Sequence, residues 1–202
     1  MTARRPIRAV AFDLMDTVVR DPFREALLAA TGLSLEELVT RRAPHVYPAF
    51  ECGHLDEDAY WDHYEEIGVP VDRDAFHRVR RDGISWLPGM RELLDHLDGV
   101  VVRATASNYP SWIEELAGEH LGGRFEHVFA SCHFGVRKPD PAFYAALLDG
   151  LGLARDEVLF VDDRQENVDA AEEAGIHAHR FRDAATVRAW LADRGVRGRE
   201  VA

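Results

Sequence analysis

Lysine is almost absent from this 202-residue chain, because 23 of its 24 basic residues are arginine and the exception is Lys138. A lone lysine suggests a site that requires a compact point charge rather than a planar guanidinium. Cysteine is also rare, with only Cys52 and Cys132, which lie far apart. They make neither a disulfide framework nor a zinc-ligand spacing, so we expect two small buried side chains.

Long apolar runs and an excess of positive charge are missing as well. No apolar run approaches the roughly 20 residues that a membrane-spanning helix requires, and the formal net charge is -12. An acidic protein is poorly suited to general binding of nucleic acid, which depends on neutralising phosphates. The chain starts with a strand-like segment and shows no signal-peptide cleavage site. We expect a cytoplasmic protein that binds neither membranes nor nucleic acids.

The composition that remains, 47% hydrophobic and 30% charged, is that of a globular protein with one domain and a sizeable insertion. Short apolar runs alternate with helical patterns, which predicts an α/β fold with helices on both faces of a parallel sheet. The predicted strands are Ile7 to Phe12, Val100 to Ala106, His127 to Ser131, Glu157 to Val161 and about His177 to Phe181. The predicted helices are Met90 to Leu97, Ser111 to Leu121, Pro141 to Leu151 and Asn167 to Ala174.

The segment from about Val19 to Trp86 interrupts this alternation. Its helical patterns, without a convincing strand, are DPFREALLAATG, SLEELVTRRA, LDEDAYWDHYEEIG and DRDAFHRVRRDG. Asp or Ser near the start of each pattern and Gly at the end of several are typical helix caps. We interpret this segment as a helical insertion between the first two strands.

Polar side chains suited to catalysis occur at the ends of the predicted strands. Open parallel sheets bind ligands outside the carboxyl ends of their strands, so we expect these side chains to meet at one edge. The motifs are AVAFDLMDTVV with Asp13 and Thr17, ATASNYP with Ser107 and Asn108, GVRKPDPAFY with Lys138, and VLFVDDRQENVDAAEEAG with Asp162 and Asp163. Each motif alone could be a turn or a helix cap. A shared site explains all four together.

The order and spacing of these motifs resemble those of the haloacid dehalogenase superfamily, most strongly in KPDPAFY and VDDRQENVDAAEEAG and well in FDLMDTVVRDPF. The likeness covers nearly the whole chain. The stretch YPAFECGHLDEDAYWDHYEEIG is similar to the small helical cap of the branch that includes sugar-phosphate phosphatases and the phosphatase domain of soluble epoxide hydrolases. The resemblance implies a Rossmann-like three-layer catalytic core, residues 1–18 and 87–202, and an inserted helical cap, residues 19–86.

The same resemblance implies a Mg²⁺-dependent phosphatase that acts on a small phosphorylated metabolite. Asp13 would be the nucleophile that forms an aspartyl-phosphate, with Lys138 and Ser107 as further catalytic residues. Phosphate binding would involve Asn108, Thr17 and Lys138. The implied magnesium ligands are the side chains of Asp13, Asp162 and Asp163 and the backbone carbonyl of Met15.

Met15 departs from the family pattern, because phosphatases of this family usually carry a second aspartate there as general acid and base. Asp16 is one residue late, and neighbouring side chains of an extended segment point to opposite faces. A missing acid or base commonly lowers the rate by about 10² to 10⁴-fold, unless the cap supplies another group. Two alternatives stay open: a 2-haloacid dehalogenase, which needs no metal, and a protein that binds a phosphorylated ligand without turnover. The acidic pair Asp162 and Asp163 favours the phosphatase.

Within the insertion, the candidates for substrate contact or for a replacement acid are His54, His63, Arg20, Arg41 and Arg42. The aromatic residues at helical spacings are expected to form the core of the insertion rather than a ligand site. They are Tyr47, Phe50, Tyr60, Trp61 and Tyr64. The sequence leaves the oligomeric state open between monomer and homodimer.

Overall fold

A parallel sheet forms the centre of the fold. A computed structural model describes residues 5–198. Its strands are β1 (Ala9–Phe12), β2 (Val102–Thr105), β3 (Val158–Asp162) and β4 (His177–Arg180). They lie in the order β2-β1-β3-β4, and each adjacent pair is parallel. Because β1 lies inside the sheet, all of its residues are buried, as expected for a strand covered on both faces.

Helices cover both faces of this sheet. In chain order the α-helices of residues 5–198 are α1 (Phe23–Thr31), α2 (Leu35–Arg41), α3 (Val46–Glu51), α4 (Glu57–Glu66), α5 (Arg73–Gly83), α6 (Met90–Leu97), α7 (Ile113–Leu116), α8 (Ser131–Phe134), α9 (Pro141–Leu151), α10 (Gln165–Glu173) and α11 (Ala184–Asp193). Helices α6 and α11 pack with Val10 and Phe12 of β1. Helices α9 and α10 pack on the other face, with Ala9 and Ala11. Successive strand side chains point to opposite faces, so β1 contributes to both layers. The predicted three-layer α/β core is confirmed.

The predicted strand from His127 to Ser131 does not form a regular strand. The segment runs parallel to β2 and its extension, but it pairs through isolated bridges at His127 and Ala130. Between them, the hydroxyl of Thr105 accepts a hydrogen bond from the Phe129 amide and donates one to the Phe129 carbonyl, both at 2.8 Å. The hydroxyl thus takes the Phe129 amide out of the ladder, while the Phe129 carbonyl still accepts from the Ser107 amide (3.3 Å). Ser131 already begins α8.

Helices α1 to α5 make up the insertion. The four predicted helical patterns correspond to α1, α2, α4 and α5. Side-chain caps begin three of them: the Ser34 hydroxyl accepts from the Glu37 amide, Asp56 from Ala59 and Asp72 from Ala75. Helix α3 is absent from the prediction because its six residues include Pro48, and proline is unfavourable inside a helix.

The two linkers that join the insertion to the sheet lie side by side. The Arg20 amide donates to the Ser85 carbonyl (2.8 Å), and the Leu87 amide donates to the Val18 carbonyl (3.0 Å). Val19 and Trp86 thereby form an antiparallel bridge. The insertion thus leaves and rejoins the core at one place, while the division into domains at these residues stays a prediction.

The aromatic residues of the insertion pack largely as predicted. Phe50, Tyr60, Trp61 and Tyr64 are buried, and Trp112, just before α7, packs against Phe50 and Trp61. Aromatic packing therefore links the insertion to the rest of the chain. Tyr47 differs, because it is half-buried and lines a cleft.

Two predicted helix starts are displaced. The helix expected from Asn167 begins at Gln165, because the Asn167 side chain turns to a strand-end aspartate instead of capping the helix. The helix expected over Ser111 to Leu121 is α7 followed by a π-helical turn, Ala117–Leu121. None of the helices within residues 5–198 combines the length and the apolar character needed to cross a membrane.

Candidate active site

The predicted site residues converge at the carboxyl ends of the strands. Asp13 directly follows β1, and its amide donates to the Val161 carbonyl of β3 (2.8 Å). Asp162 is the last residue of β3 and Asp163 follows it. Ser107 lies two residues beyond β2 and is buried. Because β1 is hydrogen-bonded to both β2 and β3, these strand ends are neighbours.

Lys138 lies at the centre of this group. The loop before α9 carries it, and its Nζ lies 2.8 Å from Asp13 Oδ1 and 2.6 Å from Asp162 Oδ2. The side chain is 1% exposed, and the ring of Phe160 faces the ammonium at 5.3 Å from its centroid. The lone lysine of the chain is therefore a buried cation shared by two carboxylates.

Asp13, Asp162 and Asp163 form a cluster that could hold a metal ion, with one carboxylate oxygen from each within 4.8 Å of the others. Burial raises the pKa of Asp13 to about 7; Lys138 opposes this rise, and the charges of Asp162 and Asp163 add to it. Burial and the charge of Asp162 likewise raise the pKa of Asp163. One lysine does not balance three carboxylates, and carboxylate oxygens are the ligands that Mg²⁺ prefers. The residues present therefore fit a hard divalent cation.

Asp162 is held in place by α10. The Asn167 Nδ2 donates to Oδ1 (2.9 Å) and Oδ2 (3.1 Å) of Asp162, and the Arg164 amide donates to Oδ1 (2.9 Å). The Tyr144 hydroxyl in turn donates to the Asn167 carbonyl (2.7 Å). Sequence reasoning missed this role of Asn167, although an Asn five residues after the strand-end aspartate was a usable signal.

The Asn108 side chain positions Lys138. Its Oδ1 accepts from the Lys138 amide (2.8 Å) and its Nδ2 donates to the Lys138 carbonyl (2.9 Å). This pair fixes the lysine backbone, a contact that the sequence does not predict, while phosphate binding by Asn108 stays a prediction. Thr17 is fully buried, and no group within residues 5–198 hydrogen-bonds its Oγ1. An unpaired buried hydroxyl is unfavourable, so a ligand oxygen would stabilise it.

A tight turn follows Asp13. The Leu14 carbonyl accepts from the Val18 (2.8 Å) and Val19 (3.0 Å) amides, and the Asp16 amide donates to the Val19 carbonyl (2.7 Å). Asp16 is exposed with φ of 57°, and its carboxylate accepts from the Asp21 amide (3.1 Å). Asp16 therefore lies in a turn and not in the extended segment assumed from the sequence, and it borders the cleft beside Met15. That it does not replace a carboxyl at Met15 stays a prediction.

A cleft of about 460 Å³ lies where the insertion faces these strand ends, and its walls include Met15, Asn108 and Tyr109. Arginines from both sides border it: Arg24, Arg42, Arg137 and Arg164. Of the five candidates named in the insertion, Arg42 lines this cleft.

The other four candidates have different surroundings. Arg20 pairs with Glu25 and Gly83, and His63 accepts from the Ala43 amide. His54 lies against Gly135, and Arg41 is exposed at the end of α2. None of these four residues lines the cleft.

Glu51, the last residue of α3, is a cleft residue that sequence reasoning missed. It is 4% exposed, and its Oε2 lies 3.0 Å from the Arg137 Nε. Burial raises the pKa of Glu51 to about 7, and Arg137 offsets only part of that rise. The sequence offers only the FECG stretch as a signal, because the partner of Glu51 lies 86 residues away in the chain.

Known proteins resemble this chain in sequence and in fold. The chloroplast flavin mononucleotide hydrolase 1 of Arabidopsis thaliana is 34% identical over 199 residues, which are 97% of this chain and 81% of that protein. A sesquiterpene phosphatase of Aspergillus oryzae is 30% identical over 151 residues, covering 72% and 77% of the two chains. A haloacid dehalogenase-like hydrolase structure from Porphyromonas gingivalis superposes with a TM-score of 0.75 at 21% identity, covering 96% of this chain and 100% of that one.

The family assignment rests on nearly the full length of the protein. The model of the haloacid dehalogenase-like hydrolases matches residues 7–175, a range that contains the four motifs and the insertion. The resemblance inferred from the motifs is thereby confirmed. The chain belongs to the haloacid dehalogenase-like hydrolases, and it is an enzyme of that family.

Proposed function

We propose that this hydrolase is a Mg²⁺-dependent phosphatase that attacks a small phosphate ester with Asp13. The observation that carries the proposal is the cluster of the buried Asp13 and Asp162 with the half-buried Asp163, in which Lys138 contacts the first two. Phosphoryl transfer requires a nucleophile, positioning and neutralisation of the phosphate charge. A metal-free dehalogenase would not need the acidic pair Asp162 and Asp163 at the end of β3.

The proposed roles follow from the contacts of each side chain. Asp13 attacks phosphorus, and Lys138 aims its carboxylate and opposes the rise in its pKa, since an ammonium at 2.8 Å favours the ionised form. Ser107 and Thr17 donate hydrogen bonds to phosphate oxygens. Asp13, Asp162, Asp163 and the Met15 carbonyl would hold Mg²⁺, which supplies charge neutralisation at the phosphate.

The insertion, residues 19–86, acts in this proposal as a cap over the core. Its side of the cleft would receive the leaving group, and a volume of about 460 Å³ is in the range of small-molecule sites. The arginines of the cleft favour a substrate with a further anionic or polar group. The relatives named flavin mononucleotide hydrolase and sesquiterpene phosphatase support phosphatase activity. Because their names give different substrates, the specificity of this protein has to be inferred from the residues of its own cleft.

The test is hydrolysis of p-nitrophenyl phosphate and a panel of sugar phosphates with Mg²⁺ or with a chelator. We expect turnover that requires Mg²⁺ and is abolished in Asp13→Asn. The matched control is Asp149→Asn on the exposed side of α9, which should behave like the wild-type protein. Release of halide from a 2-haloacid without metal, combined with no phosphate release, would overturn the proposal.

A further inference from the structure

The proposed reaction lacks a proton donor beside Asp13. The leaving oxygen of a phosphate ester needs a proton when the alcohol is a poor leaving group. Met15 has no titratable group, and Asp16, although it borders the cleft, has an exposed carboxylate that accepts from the Asp21 amide. Lys138 contacts two carboxylates that keep it charged. The buried carboxyl groups that border the cleft outside the Asp13 cluster are therefore sought on the opposite wall.

Two carboxyl groups of the insertion side line the cleft with raised pKa values, Asp21 and Glu51. The Asp21 carboxylate already accepts from the Phe23 amide at the start of α1 (2.9 Å). The Glu51 Oε2 forms no hydrogen bond within the described residues and has only the ion pair with Arg137. Of the two, Glu51 is the one with a carboxyl oxygen that is buried and without a hydrogen bond, which is unfavourable unless a ligand pairs with it.

The backbone of Glu51 is tied to the loop that carries Ser107 and Asn108. The buried Ser131 hydroxyl donates to the Glu51 carbonyl (2.5 Å) and accepts from the Tyr109 amide (3.0 Å). The Ser131 amide donates to the Ser107 carbonyl (2.9 Å). One buried serine therefore holds the end of α3 at a fixed distance from the strand ends, which is the rigidity that proton transfer requires.

The surroundings of Glu51 suit an acid that works near neutral pH. Burial raises its pKa to about 7, and the groups that lower it are Arg137, the Tyr47 hydroxyl, Arg164 and Lys138. A general acid is most effective when its pKa lies near the working pH, because both protonation states are then populated.

We propose that Glu51 is the general acid and base of this phosphatase and replaces the carboxyl that Met15 lacks; the inference rests on the proposed function. As Asp13 forms its bond to phosphorus, the bond from phosphorus to the leaving oxygen breaks, and the Glu51 carboxyl protonates that oxygen to release an alcohol. The Glu51 carboxylate then takes a proton from the water that attacks phosphorus. Inorganic phosphate leaves, and both carboxyl groups return to their starting states.

The experiment measures kcat/KM for aryl phosphates of increasing phenol pKa and for one alkyl phosphate, with Mg²⁺. This parameter reports the steps up to formation of the aspartyl-phosphate. We expect Glu51→Gln to lower it by about 10²-fold or more for the poorest leaving groups and to leave p-nitrophenyl phosphate little changed. The plot of log kcat/KM against leaving-group pKa becomes steeper than in the wild-type protein.

Two further variants separate proton transfer from loss of structure. Adding Met15→Asp to Glu51→Gln supplies a carboxyl at the usual position and is expected to flatten the slope again; a slope that stays steep would contradict the proposal. Asp21→Asn should keep the wild-type slope, and a steeper slope there would make Asp21 the donor instead.

The results also distinguish this inference from the proposed function. An equal loss for all substrates in Glu51→Gln would overturn the role of Glu51 and leave the phosphatase standing. No Mg²⁺-dependent hydrolysis of any ester by the wild-type protein would overturn both.

Discussion

The two walls of the cleft are built differently. Behind the wall at the carboxyl ends of the strands, Asp13, Asp162 and Lys138 are buried and bonded to one another, and Asn108 and Asn167 support them from neighbouring elements. On the insertion side, the Arg24 side chain is 66% exposed, and its partner there, Glu36, is exposed as well. Such exposed ion pairs contribute little to stability.

Under the proposed function, the strand-end side carries out the chemistry and the insertion side selects the substrate. Catalytic groups must be held within a few tenths of an ångström, and the strand-end wall provides that rigidity. Side chains on an exposed wall can be substituted without disturbing the sheet, as is general for surface segments. Glu51 is the exception, because it lies on the insertion side yet is buried and tied to the core through Ser131. The predictions below test this division.

Among the residues that support Asp13, Lys138→Met should have the largest effect. Without the ammonium, Asp13 and Asp162 are buried carboxylates with no cation beside them, so kcat/KM should fall by about 10² to 10³-fold. Breaking a buried ion pair also lowers the free energy of unfolding by about 3 to 5 kcal/mol, which urea unfolding without metal can measure. Lys138→Arg should not restore activity, since a guanidinium has a different shape; near wild-type rates in that variant would show that only the charge matters.

Asn167→Ala should mainly weaken metal binding. The variant loses both hydrogen bonds to Asp162, and loss of such supporting contacts typically lowers metal affinity by about 10 to 100-fold. The concentration of Mg²⁺ at half-maximal activity should rise accordingly. Asn108→Ala is the comparison, because it releases the backbone of Lys138 and should lower kcat at an unchanged Mg²⁺ requirement. Equal shifts in both variants would contradict separate roles for these asparagines.

The pH profile should show the titration of Glu51. An acid must be protonated to act. Burial raises the pKa of Glu51 to about 7, although Arg137, Tyr47, Arg164 and Lys138 lower it, so the protonated fraction falls above that pH. For an alkyl phosphate, kcat/KM should therefore fall about tenfold per pH unit above that point. The same fall should be absent for p-nitrophenyl phosphate and in Glu51→Gln. Its persistence in Glu51→Gln would assign the titration to another group.

Arg42→Ala should have the smallest effect. Arg42 lies over the Tyr47 ring and donates to the Tyr64 hydroxyl (3.1 Å) at the cleft. Loss of one charge-assisted contact should raise KM by roughly tenfold for substrates with a second anionic group, and by less for p-nitrophenyl phosphate. The neighbouring exposed Arg41→Ala is the control. Equal effects on both kinds of substrate would place Arg42 outside substrate selection.

The sequence is most informative where the contacts are local. Asp13 and Asp162 could be identified because each ends a short apolar strand, and parallel strands bring their ends together. Helix α9 could be delimited because Asp140 and Pro141 begin it and Gly152 ends it.

What the sequence does not reveal depends on contacts between distant segments. Glu51 becomes a buried acid only when Arg137 and Ser131 pack against α3. The segment after His127 appears strand-like in composition, but the Thr105 hydroxyl interrupts its ladder by accepting from the Phe129 amide. Asn167 has the residue type of a helix cap, and the fold uses it to hold Asp162. In each case a tertiary partner changes what the local pattern predicts.

The most direct test of the central claim is to identify the phosphorylated residue. The enzyme is mixed with a phosphate ester and Mg²⁺, quenched in acid within a single turnover, and digested for mass spectrometry. The account predicts one phosphoryl group on Asp13 of the wild-type protein and none in Asp13→Asn. Phosphate release with the phosphoryl group on another residue, or with Asp13→Asn fully active, would contradict it.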